Sequence, residues 1–166
     1  FTITITSISS SFLPPLTTPI AGGTFLQGQQ PPGDNTPLDE RPYRSVTLAP
    51  YSVGLGEVTV AEYVGMLNWA LDPDGDGDQG DSLLDLQPAS TPVAVANGIG
   101  AARSLVALGK PSCQIVWAGS GFDVRDVAGH PDGSTRSRAD HPVTDVTWYG
   151  AAFYCYALNR SQALDQ

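Results

Sequence analysis

The stretch that decides the fold is residues 141–155, which read His-Pro-Val-Thr-Asp-Val-Thr-Trp-Tyr-Gly-Ala-Ala-Phe-Tyr-Cys. Thr147 is a residue type that caps helices, and small or apolar residues follow it at helical spacing. The pattern predicts a helix that begins after Thr147 and runs through Ala151, Ala152, Cys155 and Leu158, with Ala152 and Cys155 facing a core.

A second helix signal lies earlier in the chain. Thr59 is followed three residues later by Glu62, which is the spacing of a capping box. Apolar residues then recur at helical spacing, namely Tyr63, Met66, Leu67 and Ala70. This segment is predicted to be a helix, with Tyr63 and Leu67 facing the core.

Most of the remaining chain reads as short strands between turns. Period-two patterns predict strands over residues 44–48 and 51–54. Residues 22–28, which lie between glycine turns, and residues 113–117 are also predicted to be strands. Residues 29–39 contain too many prolines and glycines for a strand ladder and are predicted to form a loop. An alanine-rich stretch predicts a short helix over 101–108. The fold class is therefore α+β.

The first residues alternate between apolar side chains, at Phe1, Ile3, Ile5 and Ile8, and hydroxyl side chains. A Ser/Thr/Pro connector follows. We interpret 1–19 as a β-strand arm and connector, and 20–166 as a separate module. The alternative is that the arm is an ordinary edge strand of that module.

Composition excludes several classes of function. The chain has 166 residues and a formal net charge of −9, with Lys110 as its one lysine. Such a surface cannot neutralise nucleic-acid phosphates or bind an anionic membrane. No apolar run is long enough to span a bilayer. The scarcity of lysine favours an extracellular protein.

An acidic glycine-rich loop is the clearest candidate site. Six of the seventeen carboxylates fall within fourteen residues: Asp72, Asp74, Asp76, Asp78, Asp81 and Asp85. A hard cation would relieve their mutual repulsion, and the glycines would let the backbone wrap around it. The spacing does not match a complete EF-hand and is similar to the Asp-Gly loops of thrombospondin-type repeats. Calcium is the preferred ligand, and a solvated loop without metal is the alternative.

Two cysteines, Cys113 and Cys155, lie 42 positions apart. They lack the spacing of a zinc site or of a redox-active pair. We expect either a structural disulfide between them or two buried thiols.

Three segments together resemble the sulfatase-modifying-factor family, the formylglycine-generating enzyme domain. They continue in order from residue 20 to about 160. The first segment covers residues 20–28 and continues with Glu40-Arg41-Pro42 and Val46-Thr47-Leu48. The second covers residues 57–63 and continues with Leu67-Asn68-Trp69-Ala70. The third covers residues 141–155.

The resemblance implies an irregular α+β fold related to C-type lectins. It also implies that catalysis would need a copper-binding cysteine pair in the second half of the domain, after the Tyr-Cys helix. No residue of this chain matches that pair, since Cys155 corresponds to a structural helix cysteine of the family. The module is expected to be a partial one.

These observations lead to a functional expectation. The chain is expected to be a non-catalytic, secreted or cell-surface structural module that self-associates into an oligomer or filament through the arm Phe1 to Ile8. One alternative is a fragment of a copper-dependent formylglycine-generating oxidase. Another is a calcium-dependent glycan-binding module, in which Trp69, Trp117 and Trp148 could line a sugar site, although their positions favour core packing.

Overall fold

The structure is a computed structural model that describes residues 12, 15–28, 43–78, 80–87, 91–94, 102–126, 128 and 132–164, with the backbone alone at 86, 87, 91–94 and 162–164. Within these residues the protein is α+β, with two helices and short antiparallel strands. The elements are β1 (Thr17–Ile20), β2 (Gly23–Gln27), β3 (Arg44–Leu48), β4 (Tyr51–Gly54), α1 (Val60–Leu71), β5 (Leu84–Gln87), β6 (Thr91–Ala94), β7 (Arg103–Ser104), β8 (Ile115–Trp117), β9 (Phe122–Val124) and α2 (Trp148–Leu164).

The chain divides into two compact units. The ribbon unit is Leu16–Gly56, and the helix unit is Glu57–Gln166 together with Phe1–Pro15, of which Phe12 and Pro15 are described. The predicted boundary between residues 19 and 20 falls inside β1, so the end of the predicted connector is a strand. The arm residues Phe1, Ile3, Ile5 and Ile8 and the predicted loop over 29–39 lie outside the described residues.

The ribbon unit consists of two antiparallel ribbons, β1 with β4 and β2 with β3. The strands predicted over 22–28, 44–48 and 51–54 are confirmed. A hydrogen bond of 2.8 Å joins the hydroxyls of Thr24 and Thr47 across β2 and β3. Gly22 is required between the ribbons, because a Cβ there would lie 2.7 Å from the backbone nitrogen of Pro50.

Helix α1 forms the centre of the helix unit's core. Its predicted capping box is present, since Thr59 and Glu62 exchange hydrogen bonds between side chain and backbone. The predicted core residues are confirmed as buried, together with others on the same helix: Val60, Tyr63, Met66, Leu67, Trp69 and Ala70. Asn68 ties α1 to β9, because its side-chain amide donates to the carbonyl of Phe122 at 2.9 Å and accepts from the Phe122 N–H at 2.7 Å.

The segment 141–147 holds the helix unit together. On one side the Val60 N–H donates to the carbonyl of His141, and the Val143 N–H donates to the carbonyl of Val58. On the other side the Thr147 N–H donates to the carbonyl of Leu105 at 2.9 Å. The segment therefore joins the start of α1 to the strand-like residues 105–107, which explains why this sequence is decisive for the fold.

Helix α2 begins where predicted but presents a different face. The Gly150 N–H donates to the Thr147 hydroxyl at 3.0 Å, which confirms the cap. The buried positions are Gly150, Tyr154, Ala157 and Ser161, whereas Ala152 and Cys155 are exposed. The predicted core face of α2 was therefore wrong. The close packing of Gly150 against the carbonyl of Leu105 fixes the rotation of the helix.

The middle of the chain differs most from prediction. The helix predicted over 101–108 is absent, because Arg103–Ser104 pair with β6 in a three-stranded sheet of β5, β6 and β7. Leu105 and Val106 then enter the core. The strand predicted over 113–117 is present as β8. Among the described residues no helix has the length and apolar character needed to cross a membrane.

Candidate functional site

The acidic loop starts directly at the end of α1 and is closed at its base. Asp72 is the C-cap residue, and its N–H donates to the carbonyl of Trp69 at 3.2 Å. At the other end the Leu83 N–H donates to the carbonyl of Ala70 at 2.8 Å. Because both ends are attached to the last turn of α1, the carboxylates between them are confined to a small volume.

Backbone amides inside the loop donate to the carboxylates. Asp72 accepts from the N–H groups of Gly75 at 2.9 Å and Gly77 at 3.0 Å, one on each oxygen. These two glycines have φ angles of 73° and 85°, which other residue types rarely adopt. Asp74, Asp76 and Asp78 each accept from the amide two residues further on. The loop is therefore stabilised by hydrogen bonds between its own aspartate side chains and its backbone amides.

Three of the six predicted ligands come together. Asp72, Asp74 and Asp81 each offer a carboxylate oxygen, and these oxygens all lie within 4.8 Å of one another. Asp76, Asp78 and Asp85 are not members of this group. The pKa of the Asp81 carboxyl is raised above its usual value, first by desolvation and then by the charges of Asp74 and its neighbours.

The geometry of the three carboxylates fits a hard cation. Calcium binds oxygen at 2.3–2.6 Å, so oxygens that share one ion lie within about 5 Å of each other. The three carboxylates would supply only part of the six to eight ligands that calcium takes, and backbone carbonyls and water would supply the rest. Desolvation is the first cause of the raised pKa of Asp81, and the charges of Asp74 and its neighbours, which add to it, are the ones that such an ion would neutralise.

The predicted disulfide is not formed. Cys113 and Cys155 are both free thiols, Cys113 buried and Cys155 exposed on α2. The rotation of α2 fixed at Gly150 explains this, since it turns Cys155 away from the core. The Cys113 thiol donates a weak hydrogen bond to the carbonyl of Ile115 at 3.7 Å, and burial raises its pKa. The alternative of two buried thiols holds for Cys113 alone.

The capped helix α1, the joining segment 141–147 and the capped helix α2 all fall within one continuous match. Residues 10–162 match the family model of the Sulfatase-modifying factor enzyme 1-like domain. The chain belongs to this family. Comparison with curated proteins gave no match, and comparison with solved structures gave none either.

Three features of this sulfatase-modifying-factor domain were not foreseen from its sequence. The first is an exposed aromatic pair at the start of α2. Trp148 is 77% exposed, and its ring lies edge-on to that of Tyr149 with centroids 5.3 Å apart. The Arg103 guanidinium carbon lies over the Tyr149 ring, 5.2 Å from the ring centroid.

Core packing was predicted for all three tryptophans. It is confirmed for Trp69, whereas Trp117 is half-buried and Trp148 is exposed.

The second feature of the domain is the apolar surface of the ribbon unit. None of its described residues is buried, and only Thr18 and Val46 are half-buried. Its exposed large apolar side chains are Leu16, Ile20, Phe25, Leu26, Tyr43, Leu48, Tyr51, Val53 and Leu55. Both faces of β2 are open, because the neighbouring residues Phe25 and Leu26 point to opposite sides. The alternation that predicted these strands gave no sign that both faces would be exposed.

The third feature is Phe12, which the sequence interpretation assigned to the connector. It is 8% exposed and belongs to the core of the helix unit. An aromatic residue inside a Ser/Thr/Pro segment was the signal that could have identified it.

Proposed function

We propose that this domain is a non-catalytic extracellular module that builds a larger assembly from copies of itself. The ribbon unit carries this proposal, since it has no buried residue among those described and exposes aromatic and branched side chains on both faces. Two-stranded ribbons of this kind are at best marginally stable alone in water. Contiguous exposed apolar surface usually marks a site of protein association.

The low charge of the ribbon unit also supports self-association. The whole chain carries a net charge of −9, and the ribbon unit Leu16–Gly56 contributes −1 of it, from Asp34, Asp39 and Glu40 against Arg41 and Arg44. Copies that meet through this unit would therefore bring few of the chain's carboxylates together, and repulsion between acidic proteins would be small. The predicted arm Phe1 to Ile8, which has no charged side chain, would add strands to such an assembly.

Thiol chemistry supports a role without catalysis. The thiolate is the form of cysteine that reacts and binds copper, and burial raises the pKa of the Cys113 thiol. Cys113 and Cys155 are both free thiols, the first buried and the second exposed. In this proposal the fold is related to the C-type-lectin-like fold and serves as a scaffold.

Calcium binding belongs to the same proposal. The ion would sit among Asp72, Asp74 and Asp81 and stiffen the loop that follows α1. Weak extracellular sites bind calcium at about 10⁻⁴–10⁻³ M, which matches a site with so few protein ligands. An extracellular location would supply that concentration.

Sedimentation velocity and negative-stain electron microscopy of the purified chain test the proposal. We expect the sedimentation coefficient to rise with protein concentration and linear particles to be visible at the upper end. Replacing Leu26 with Asp in the ribbon unit should lower the association, because it places a charge on the open apolar face. A single monomeric species over a hundredfold range of concentration would contradict the proposal.

Two other functions each have one observation in their favour. Membership of an enzyme family favours a fragment of a copper-dependent oxidase, and copper-loaded chain that converts a sulfatase peptide to its aldehyde would establish it. The exposed Trp148 and Tyr149 favour calcium-dependent glycan binding, because sugars stack on exposed aromatic rings. Glycan binding that chelation abolishes and Trp148→Ala removes would establish that function.

A further inference from the structure

An aromatic patch with one cation is exposed at the start of α2. It consists of Trp148 and Tyr149, whose rings lie edge-on to each other, and of Arg103, whose guanidinium carbon lies over the Tyr149 ring. Trp148 is 77% exposed and Tyr149 is 44% exposed. Tryptophan, tyrosine and arginine are the residue types that contribute most to the binding energy of protein–protein interfaces. The composition of the aromatic patch therefore favours a protein partner.

The aromatic patch is held in place by the protein itself. Its two aromatic residues directly follow Thr147, whose hydroxyl donates to the carbonyl of Ser104 at 2.6 Å. The Thr147 N–H donates to the carbonyl of Leu105 at 2.9 Å. Because Ser104 follows Arg103 in β7, these bonds connect the strand that carries the cation to the helix that carries the rings. A partner can then bind without the entropic cost of ordering these elements.

Arg103 has no acidic partner among the residues that the structure describes. The ion pairs of that part of the chain are Lys110–Asp145 and Arg136–Asp132. A cation on an exposed aromatic surface favours an acidic partner, and the chain itself has a net charge of −9. Its carboxylates are most concentrated in the acidic loop, where five aspartates lie within residues 72–81.

Asp76 and Asp78 are the carboxylates of the acidic loop that a partner can reach. Both are exposed, and neither belongs to the group of three that fits a cation. Each accepts an amide hydrogen bond through Oδ1, at 2.7 Å for Asp76 and 2.9 Å for Asp78. Within the described chain their Oδ2 atoms accept no hydrogen bond, so each can accept from an arginine. Calcium and an arginine would therefore contact different carboxylates.

The aromatic patch and the acidic loop lie at opposite ends of α1. Gly150, in the first turn of α2, lies close to the hydroxyl of Tyr63 near the start of α1. The acidic loop leaves the last turn of the same helix at Asp72. The 12 residues of α1 span about 18 Å. The arginine of one copy is therefore placed to meet the loop of another copy and not its own.

We propose that the aromatic patch is the acceptor for the acidic loop of a second copy, with Arg103 facing the carboxylates of Asp76 and Asp78. The inference rests on the proposed self-assembly and adds a contact to that of the ribbon unit. The Trp148 ring packs on the glycine backbone of the loop, where nothing lies within 4 Å of the place of a Cβ at Gly77. Each copy has one patch and one loop at opposite ends, which gives a head-to-tail chain.

An exchange of charges tests this contact. The patch variant, Arg103→Asp, should lower the association constant of the purified chain at least several-fold, because it places like charges opposite each other. The loop variant, Asp76→Arg with Asp78→Arg, should do the same. The chain that carries all three substitutions restores opposite charges and should recover most of the association. Trp148→Ala changes no charge and should also weaken the association, which sedimentation velocity measures in every case.

Control variants change the net charge by the same amounts at exposed residues of neither surface. Arg136→Asp matches the patch variant, and Asp123→Arg with Asp126→Arg matches the loop variant, so both should leave the association unchanged. Asp76→Asn with Asp78→Asn replaces the loop variant if that one does not fold, because asparagine keeps the Oδ1 acceptors. It should weaken the association and make it less sensitive to salt, since salt screens exposed charges.

The outcomes separate this inference from the proposed function. If the wild type associates and the patch and loop variants associate equally well, or if the combined variant recovers nothing, the contact is wrong while self-assembly through the ribbon unit stands. If Trp148→Ala removes glycan binding and leaves the association unchanged, the aromatic patch is a glycan site and the contact is wrong. A wild type that stays monomeric contradicts the proposed function, and the inference is then overturned with it.

Discussion

Gly150 shows how one residue fixes the arrangement of the helix unit. It lies in the first turn of α2, where a Cβ would overlap the carbonyl oxygen of Leu105 and lie 2.5 Å from the hydroxyl of Tyr63. The Leu105 carbonyl cannot move aside, because it also accepts a hydrogen bond from the Thr147 N–H. The absence of a side chain at this position therefore lets α2 approach both α1 and residue 105.

Replacing Gly150 with Ala is expected to destabilise the protein. Overpacking of this kind costs about 1–3 kcal/mol. Alanine has a higher helix propensity than glycine by about 1 kcal/mol, and the upper part of the overpacking range exceeds this gain. Urea unfolding followed by circular dichroism measures the change in the free energy of unfolding. Gly109→Ala is the control, since no atom lies within 4 Å of a Cβ there, and its effect should stay within about 0.5 kcal/mol. Equal effects of the two substitutions would show that the contact at Gly150 is not what holds α2.

Individual residues were predicted well where the signal is local. The caps at Thr59 and Thr147 each join a side chain to an amide three residues away, and the sequence contains all the information they need. The pairing of Cys113 with Cys155 depends on how α2 is rotated against the core. That rotation is set at Gly150 by a contact with residue 105, which no local pattern contains.

At the level of elements, prediction succeeded for α1 and failed for the middle of the chain. The apolar residues of α1 recur with a clear helical period. Residues 101–108 are alanine-rich, which favours a helix, but Arg103–Ser104 pair with β6 instead. Tertiary pairing overrides weak intrinsic preference in such segments.

The acidic loop that follows α1 leads to a prediction about calcium binding. Calcium is expected to raise the melting temperature of the wild type, and EDTA is expected to reverse the increase. Free calcium at tenfold its dissociation constant would add about 1.4 kcal/mol. The effect should weaken as the pH falls through the raised pKa of Asp81, because a protonated carboxyl no longer binds the ion.

Asp74→Asn and Asp78→Asn form a matched pair for this measurement. Each side chain accepts from the amide two residues on through Oδ1, and asparagine keeps that oxygen. Only Asp74 belongs to the group of three carboxylates. We therefore expect Asp74→Asn to remove the calcium response and Asp78→Asn to retain most of it. Loss of the response in both variants would indicate a diffuse effect of charge, and no response in the wild type would leave the solvated-loop interpretation.

At the scale of the whole molecule, the two units have different sources of stability. The helix unit has a continuous core that includes Tyr63, Trp69, Leu105, Ile115 and Tyr154. The ribbon unit has two hydrogen-bonded ribbons and no buried residue among those described. Membership of a family is a property of the whole chain, and it was recognisable because the three quoted segments occur in order. The unequal burial of the two units could not be predicted, because an alternating strand pattern does not indicate which other residues cover the strand.

Hydrogen exchange followed by mass spectrometry should separate the two units. Amides of β1 to β4 are expected to exchange through local opening of low free energy, whereas buried amides of α1 should exchange only near the global free energy of unfolding. Raising the protein concentration should slow exchange in β1 to β4, because association covers their apolar side chains, and should leave α1 unchanged. If the amides of β1 to β4 were as protected as those of α1 in a verified monomer, another part of the same chain would have to cover the ribbon unit. Its apolar surface would then not be available to a second copy, and the assembly would need a different contact.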